Sequence, residues 1–135
     1  MASLALLMIA EGSMDQPPES SHHQRERRQL HAATKQVVFR EINEKLEGLN
    51  ASFDEIIPVG DFVCECADLT CIERIEMTVA EYEQLRAHPA RFAVRPGHLS
   101  PEAERVVEQR SGYTIVEKLG AGSEYAARFD PRASD

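Results

Sequence analysis

The sequence has no tryptophan, few other aromatic residues and no long apolar run. Its five phenylalanines and three tyrosines, in a hydrophobic fraction of 42% that leans on alanine, can build only a modest core. No stretch approaches the roughly 18–20 apolar residues that span a bilayer, which argues against a membrane-spanning helix. A chain of 135 residues is predicted to form one domain with tails. Because its core is modest, a structural metal ion would contribute substantially to its stability.

Basic residues are also scarce, since 15 lysines and arginines stand against 23 acidic residues, a formal net charge of −8. Nucleic acids and anionic membranes bind positive surfaces, so this charge argues against both as partners. Residues 25–40 are the exception, with five basic residues against one acid. A solvated helix face accounts for this stretch more simply than contact with RNA or an acidic partner does.

The three cysteines lie within one short segment, residues 62–71. In an extended strand alternate side chains share a face, so Cys64 and Cys66 point the same way and Glu65 points opposite. Residues 67–70 then allow a turn that returns Cys71 to the same side. The segment therefore predicts a β-hairpin with three sulfur atoms at its tip. The predicted strands are residues 61–66 and 72–77.

Three thiolates need a fourth ligand to complete the tetrahedron that zinc prefers, and Cys₃His is a standard structural set. His98 is the predicted fourth ligand, because it follows a Pro-Gly turn that can present a side chain at a fixed angle. His88 is the rival, although a histidine at the end of a helix also suits the negative end of the helix dipole. The sequence thus predicts a structural zinc ion held by Cys64, Cys66, Cys71 and His98.

Other interpretations of the cysteines stay open. Free cysteines are often buried as small hydrophobic side chains, and the thiols could instead form a redox pair or a disulfide. A Cys-x-Cys pair with a later cysteine and histidine also resembles the CDGSH-type iron–sulfur motif. Here, however, Ile-Glu-Arg follows Cys71, and His98 lies much too far downstream.

Residues 1–24 are predicted to be a disordered leader, because a proline pair and a Ser/His cluster interrupt any periodicity. Residues 3–10 are apolar enough to resemble the core of a signal peptide, which stays an alternative. They lack a basic segment before them and a clean cleavage site after them. We therefore expect a cytoplasmic protein, with Met14 as an alternative start. In that reducing compartment, an odd number of cysteines favours metal ligands over disulfides.

Apolar residues at helical spacing predict a long helix over residues 25–49. Phe39, Ile42, Leu46 and Leu49 recur every three or four positions and are predicted to face the core. The polar residues between them, Arg40 and Asn43 included, are predicted to face solvent.

Two start signals predict short helices later in the chain. Thr78 and Glu81 form the signature of a capping box. Ser100 and Pro101 suit the N-cap and first position of another helix, which is predicted to run to Gly112. Two further strands are predicted at residues 91–95 and 113–119, and a flexible tail at residues 120–135. The predicted fold is a single α+β domain over residues 25–119, with a long N-terminal helix, a zinc-knuckle β-hairpin, two short helices and two further strands in a small sheet.

Five blocks of the sequence resemble a small family of uncharacterised bacterial proteins that is built around Phe-Arg-Glu-Val-Asn-Glu, Cys-Glu-Cys and Pro-Gly-His. The blocks are residues 39–44, 62–66 with Cys71, 78–86, 92–98 and 104–108. The resemblance implies that Cys64, Cys66, Cys71 and His98 belong together, and it implies no activity. Ala67 stands where the family has glycine, so this turn is expected to differ slightly.

These patterns predict a small zinc-stabilised binding or regulatory module that acts on a protein partner through the long helix or a sheet edge. Exposure of Phe39, Ile42 and Leu46 would favour partner binding. The alternative is a redox protein or metal-dependent enzyme, which an open metal position or a thiol pKa well below about 8.5 would favour. No nucleophile motif or phosphate loop supports catalysis, so the enzyme is the less favoured alternative.

Overall fold

The computed structural model describes residues 21–133, so most of the predicted leader, Met14 included, lies outside the described residues. The elements in chain order are helix α1 (Ser21–Ala51), strands β1 (Val59–Val63) and β2 (Arg74–Thr78), helix α2 (Val79–Arg86), strands β3 (Arg91–Val94), β4 (Glu104–Gln109) and β5 (Thr114–Lys118), and helix α3 (Gly120–Arg128). One long and two short helices with two small antiparallel sheets confirm the predicted α+β class. Among the described residues, no helix has the length and apolar character to cross a membrane.

The strands form two separate antiparallel sheets that meet at the cysteine segment. β1 and β2 pair as a ribbon from Val59↔Thr78 to Val63↔Arg74. In the second sheet β5 lies between β3 and β4. Just beyond β1 the backbone N–H of Glu65 donates to the carbonyl of Ala93 in β3 over 2.9 Å, so the two sheets are joined where the cysteines begin.

Helix α1 buries a face that the sequence analysis assigned to solvent. Phe39 and Leu46 are half-buried, and Leu46 packs against the core as predicted. Arg40 and Asn43 are buried, whereas Ile42 and Leu49 are exposed, so the prediction is wrong at these positions. The physical reason is that the strands offer hydrogen-bonding groups to this face. The Asn43 amide accepts from the N–H of Val63 over 2.8 Å and donates to its carbonyl over 2.9 Å, so it completes the edge of β1.

Two buried clusters of apolar side chains form the core. One lies between the ribbon, α2 and the second sheet, and it includes Phe62 and Tyr82, whose rings stack at 4.7 Å. The other contains all three cysteines together with Phe92 and neighbouring aliphatic side chains. The cysteine segment is therefore part of the interior and is packed from several sides.

The predicted capping box is present, while the second predicted helix is not. Glu81 N–H donates to the Thr78 hydroxyl over 3.0 Å, and Thr78 N–H donates to the Glu81 carboxylate over 2.8 Å. After Ser100 the chain makes a single turn, with Glu104 N–H bonded to the Ser100 carbonyl at 3.0 Å, and then continues as β4. The start signal was real, but β-branched Val106 and its valine neighbour favour the strand that follows.

Helix α3 lies where the sequence analysis predicted a flexible tail. Its glycine- and alanine-rich start resembles a loose segment, yet it packs along α1. A Cβ atom at Gly122 would lie only 3.1 Å from the backbone oxygen of Gln29, so glycine is what allows the two helices to approach this closely.

Candidate metal centre

The three cysteines and His98 come together at the end of the β1–β2 ribbon. Their ligand atoms, three Sγ atoms and an imidazole nitrogen, all lie within 4.8 Å of one another. His98 Nδ1 is 3.6 Å from Sγ of Cys64 and 3.6 Å from Sγ of Cys71. A tetrahedron with Zn–S of about 2.3 Å and Zn–N of about 2.05 Å has S···N edges of about 3.6 Å. The group could therefore hold a metal ion.

The cysteine segment reaches this position through a loop that is longer than predicted. Strand β1 ends at Val63, and only Cys64 continues the ladder, with its N–H donating to the Glu73 carbonyl over 2.8 Å. Asp68 then organises the turn. Its carboxylate accepts from the N–H and hydroxyl of Thr70, and its carbonyl accepts from Cys71 N–H over 3.1 Å. The predicted strands 61–66 and 72–77 are thus too long at the tip, because turn hydrogen bonds replace the ladder there.

His98 is presented by the turn that the sequence predicted. Its N–H donates to the Arg95 carbonyl over 3.0 Å, and Gly97 has φ of +87°, which together with Pro96 describes a type II turn. The outer nitrogen, Nε2, lies 3.0 Å from the carboxylate of Glu73. A carboxylate at one ring nitrogen fixes the orientation and tautomer of a histidine whose other nitrogen faces a metal.

Replacing Gly97 by alanine is expected to destabilise the protein by about 1–2 kcal/mol, because an L-residue in left-handed backbone conformation costs that much. A Cβ at this position would meet no neighbouring atom, so the cost comes from the backbone alone. Urea unfolding at a fixed metal concentration measures the effect. Gly97→Asn is the control and should lose less, because asparagine tolerates positive φ; equal losses for the two variants would contradict this account.

Hydrogen-bond donors surround the sulfur atoms. The backbone N–H of Arg95 donates to Sγ of Cys64 over 3.1 Å. The buried ammonium of Lys35, from α1, donates to the Cys66 carbonyl over 2.8 Å and lies 4.0 Å from its Sγ. A divalent cation together with three thiolates and a neutral histidine has a net charge of −1. The ammonium group of Lys35 offsets this charge.

Burial raises the pKa of the Cys64 thiol, and the neighbouring Cys66 and Cys71 raise it further. Burial also raises the pKa of Cys66. Both thiols therefore carry protons at neutral pH without a cation, and a metal ion that binds them releases those protons. A nucleophilic cysteine has a lowered thiol pKa. The pKa shifts of the Cys64 and Cys66 thiols go in the opposite direction.

A small cleft of about 240 Å³ leads to this group from the surface. Cys66, Asp68, His98 and Ser100 are among the residues that line it. His98 is half-buried, whereas the three cysteines are buried, so the cleft offers a cation a short route to the sulfur atoms.

The rival histidine lies elsewhere. His88 is exposed just after α2 and lines a different cleft with Glu81 and Arg110. His31 is exposed on α1. Of these histidines it is His98 whose ring nitrogen lies beside the sulfur atoms.

Comparison with known proteins adds no functional assignment. No family model, no curated protein and no solved structure matches this chain, so the resemblance to a bacterial family stays a prediction.

Proposed function

We propose that this protein is a small binding module that is stabilised by a structural zinc ion and acts through a protein partner. The observation that carries the proposal is the convergence of the three cysteines and His98, whose donor atoms lie within 4.8 Å of one another. Thiolate and imidazole ligands suit zinc, and a Cys₃His set closes the tetrahedron without a position for water or substrate. Burial of the three cysteines favours this role over the redox or enzymatic alternative.

A zinc ion at this position would cross-link separate parts of a small domain. Cys64 and Cys66 follow β1, Cys71 precedes β2, and His98 lies between β3 and β4. Because the core contains few large apolar side chains, such a link would stabilise the relative positions of both sheets.

The outward face of α1 supports a role in protein binding. Val38, Ile42 and Leu49 are spaced by four and seven residues, share this face, and are 53%, 40% and 59% exposed. They lie opposite the buried Gln36 and Arg40. Of the three residues whose exposure would favour partner binding, Ile42 is exposed, whereas Phe39 and Leu46 are half-buried. Exposed apolar side chains that share a helix face are typical of interaction surfaces.

Metal analysis of protein purified without a polyhistidine tag tests the zinc proposal. We expect about one zinc ion per chain, bound through deprotonated thiols. Cys66→Ser and His98→Ala should each lose most of it, because each removes one of four ligands. His88→Ala is the matched control and should keep the full amount, since His88 lies outside the group.

Three results would overturn the proposal. One is a parent protein without stoichiometric metal. Another is iron in place of zinc, and the third is full metal retention by His98→Ala. Replacement by Co²⁺ gives a second readout, because a tetrahedral thiolate site has a characteristic absorption spectrum that Cys66→Ser should abolish.

A further inference from the structure

The outward face of α1 changes character along its length. Its N-terminal part is basic, its middle carries exposed apolar side chains beside Glu41 and Lys45, and two acidic residues follow in the turns after its end. The residues concerned are Arg27, Arg28 and His31, then Val38, Ile42 and Leu49, then Asp54 and Glu55. The two ends of one continuous surface thus carry opposite charge.

The basic end contains a groove of about 990 Å³. Arg27, Arg28 and His31 line it together with the small or apolar side chains of Leu30 and Ala67. Ala67 lies in the loop between the candidate ligands Cys66 and Cys71, so the groove adjoins the loop that carries two of them.

The acidic end carries a segment whose chemistry matches this groove. Residues 53–56 read Phe-Asp-Glu-Ile, with Phe53 50% and Ile56 80% exposed on either side of the two acids. Backbone hydrogen bonds from Phe53 N–H to Asn50 O and from Ile57 N–H to Phe53 O continue α1 into this segment as turns. Two apolar side chains and two carboxylates are thus held on a defined scaffold beyond the helix.

Groove and segment lie on opposite sides of Ile42 along the helix axis. The groove is centred about 12 residues before Ile42, or roughly 18 Å at 1.5 Å per helical residue. On the other side α1 continues to Ala51, and the segment follows it as turns. A two-fold axis beside Ile42 would bring each segment to the groove of another copy. A two-fold interface requires such a self-complementary surface.

We infer that the protein partner of this module is a second copy of the chain, bound through α1 in antiparallel orientation. This inference rests on the proposed function, because it names the partner of that module. The two Ile42 side chains meet at the axis, Val38 of each copy packs beside Ile42 of the other, and Arg28 faces Glu55 of the second copy. A parallel pair would bring like charges together at both ends, which complementary interfaces avoid.

Sedimentation of the full, zinc-loaded chain tests the pairing. We expect a dimer of twice the 15.1 kDa chain mass. Ile42→Glu and Ile56→Arg should each give a monomer, because the first places two like charges at the two-fold axis and the second adds a cation beside the basic groove. Val106→Glu is the matched control, since Val106 is a 39% exposed apolar residue on β4 and takes no part in the proposed contact; this variant should remain a dimer.

Charge exchange tests the antiparallel orientation. Arg28→Glu and Glu55→Arg should each raise the dimer dissociation constant about tenfold, and the double variant should return it to near the parent value. Arg28 also pairs with Glu102 at 2.7 Å within the chain. Glu102→Gln is therefore the control and should leave the dimer unchanged.

The metal content of each variant separates this inference from the proposed function. If the unsubstituted protein carries zinc but stays monomeric, the dimer is refuted. The binding partner of the outward face of α1 is then the segment 1–20 or a different protein. A dimer that survives both Ile42→Glu and Ile56→Arg, or that shows no recovery in the charge-exchange double variant, also overturns the inference. A parent without metal refutes the proposed function, whether or not the chain dimerises.

Discussion

Removal of the metal ion with a strong chelator is expected to abolish the cooperative unfolding transition of this protein. Structural zinc contributes on the order of 10 kcal/mol of apparent binding free energy. The total stability of a small domain is only about 5–15 kcal/mol, so loss of the ion should remove most of it. Circular dichroism during thermal unfolding, with and without chelator, measures the change.

The effect should be reversible and specific. Added zinc should restore the transition, whereas added magnesium should not, because magnesium prefers oxygen ligands in octahedral geometry. Cys66→Ser should show little response to the chelator, since one ligand is already absent. A parent whose melting temperature is unchanged by chelation would contradict a structural role for the ion.

The donor group was predictable because its signals are local. Strand alternation predicts Cys64 and Cys66 on one side, and both sulfur atoms reach the group although β1 ends at Val63. A Pro-Gly pair fixes the type II turn before His98. Neither inference needs knowledge of distant residues. Lys35, by contrast, reaches the Cys66 carbonyl only because α1 packs across this loop, and its sequence position gave no signal of that contact.

The orientation of α1 was not predictable from hydrophobic periodicity. Hydrophobic periodicity predicts the buried face of a helix on the assumption that charged side chains face water. The assumption is valid for charged side chains that have no buried partners. Arg40 has such partners. Its guanidinium stacks over the Phe92 ring at 4.6 Å and donates to the carbonyls of Ala126 and Pro89. These groups come from β3, α3 and the segment after α2, so only the folded chain assembles them.

Dependence on distant partners also explains why strand β4 forms where the sequence predicted a helix. Ser100 does start a helical turn, and Glu104 caps it by accepting from the Ser100 N–H over 2.9 Å. The glutamate side chain is buried there beside Lys118 of β5. Pairing with β5 holds the residues after Glu104 in an extended conformation. The start signal lies within residues 100–104 and carries no information about this pairing.

Lys118→Met is expected to reduce the free energy of unfolding by about 3–5 kcal/mol, the usual cost of removing one partner from a buried ion pair. Lys118 Nζ lies 3.2 Å from Glu104 Oε2, and both side chains are fully buried. Burial lowers the pKa of Lys118, while Glu104 opposes that shift. Methionine is one atom shorter than lysine and fills most of the same space, but it leaves the Glu104 carboxylate buried without its cation.

The double variant Lys118→Met/Glu104→Gln should recover much of this loss, because neither buried charge remains and the glutamine oxygen can still accept from the Ser100 N–H. Arg105→Met is the matched control. Arg105 pairs with Glu117 at 2.6 Å but is largely exposed, so its loss should cost less than about 1 kcal/mol. Urea unfolding at saturating zinc measures all three variants. If Lys118→Met cost no more than Arg105→Met, the buried pair would contribute no more to stability than a surface ion pair.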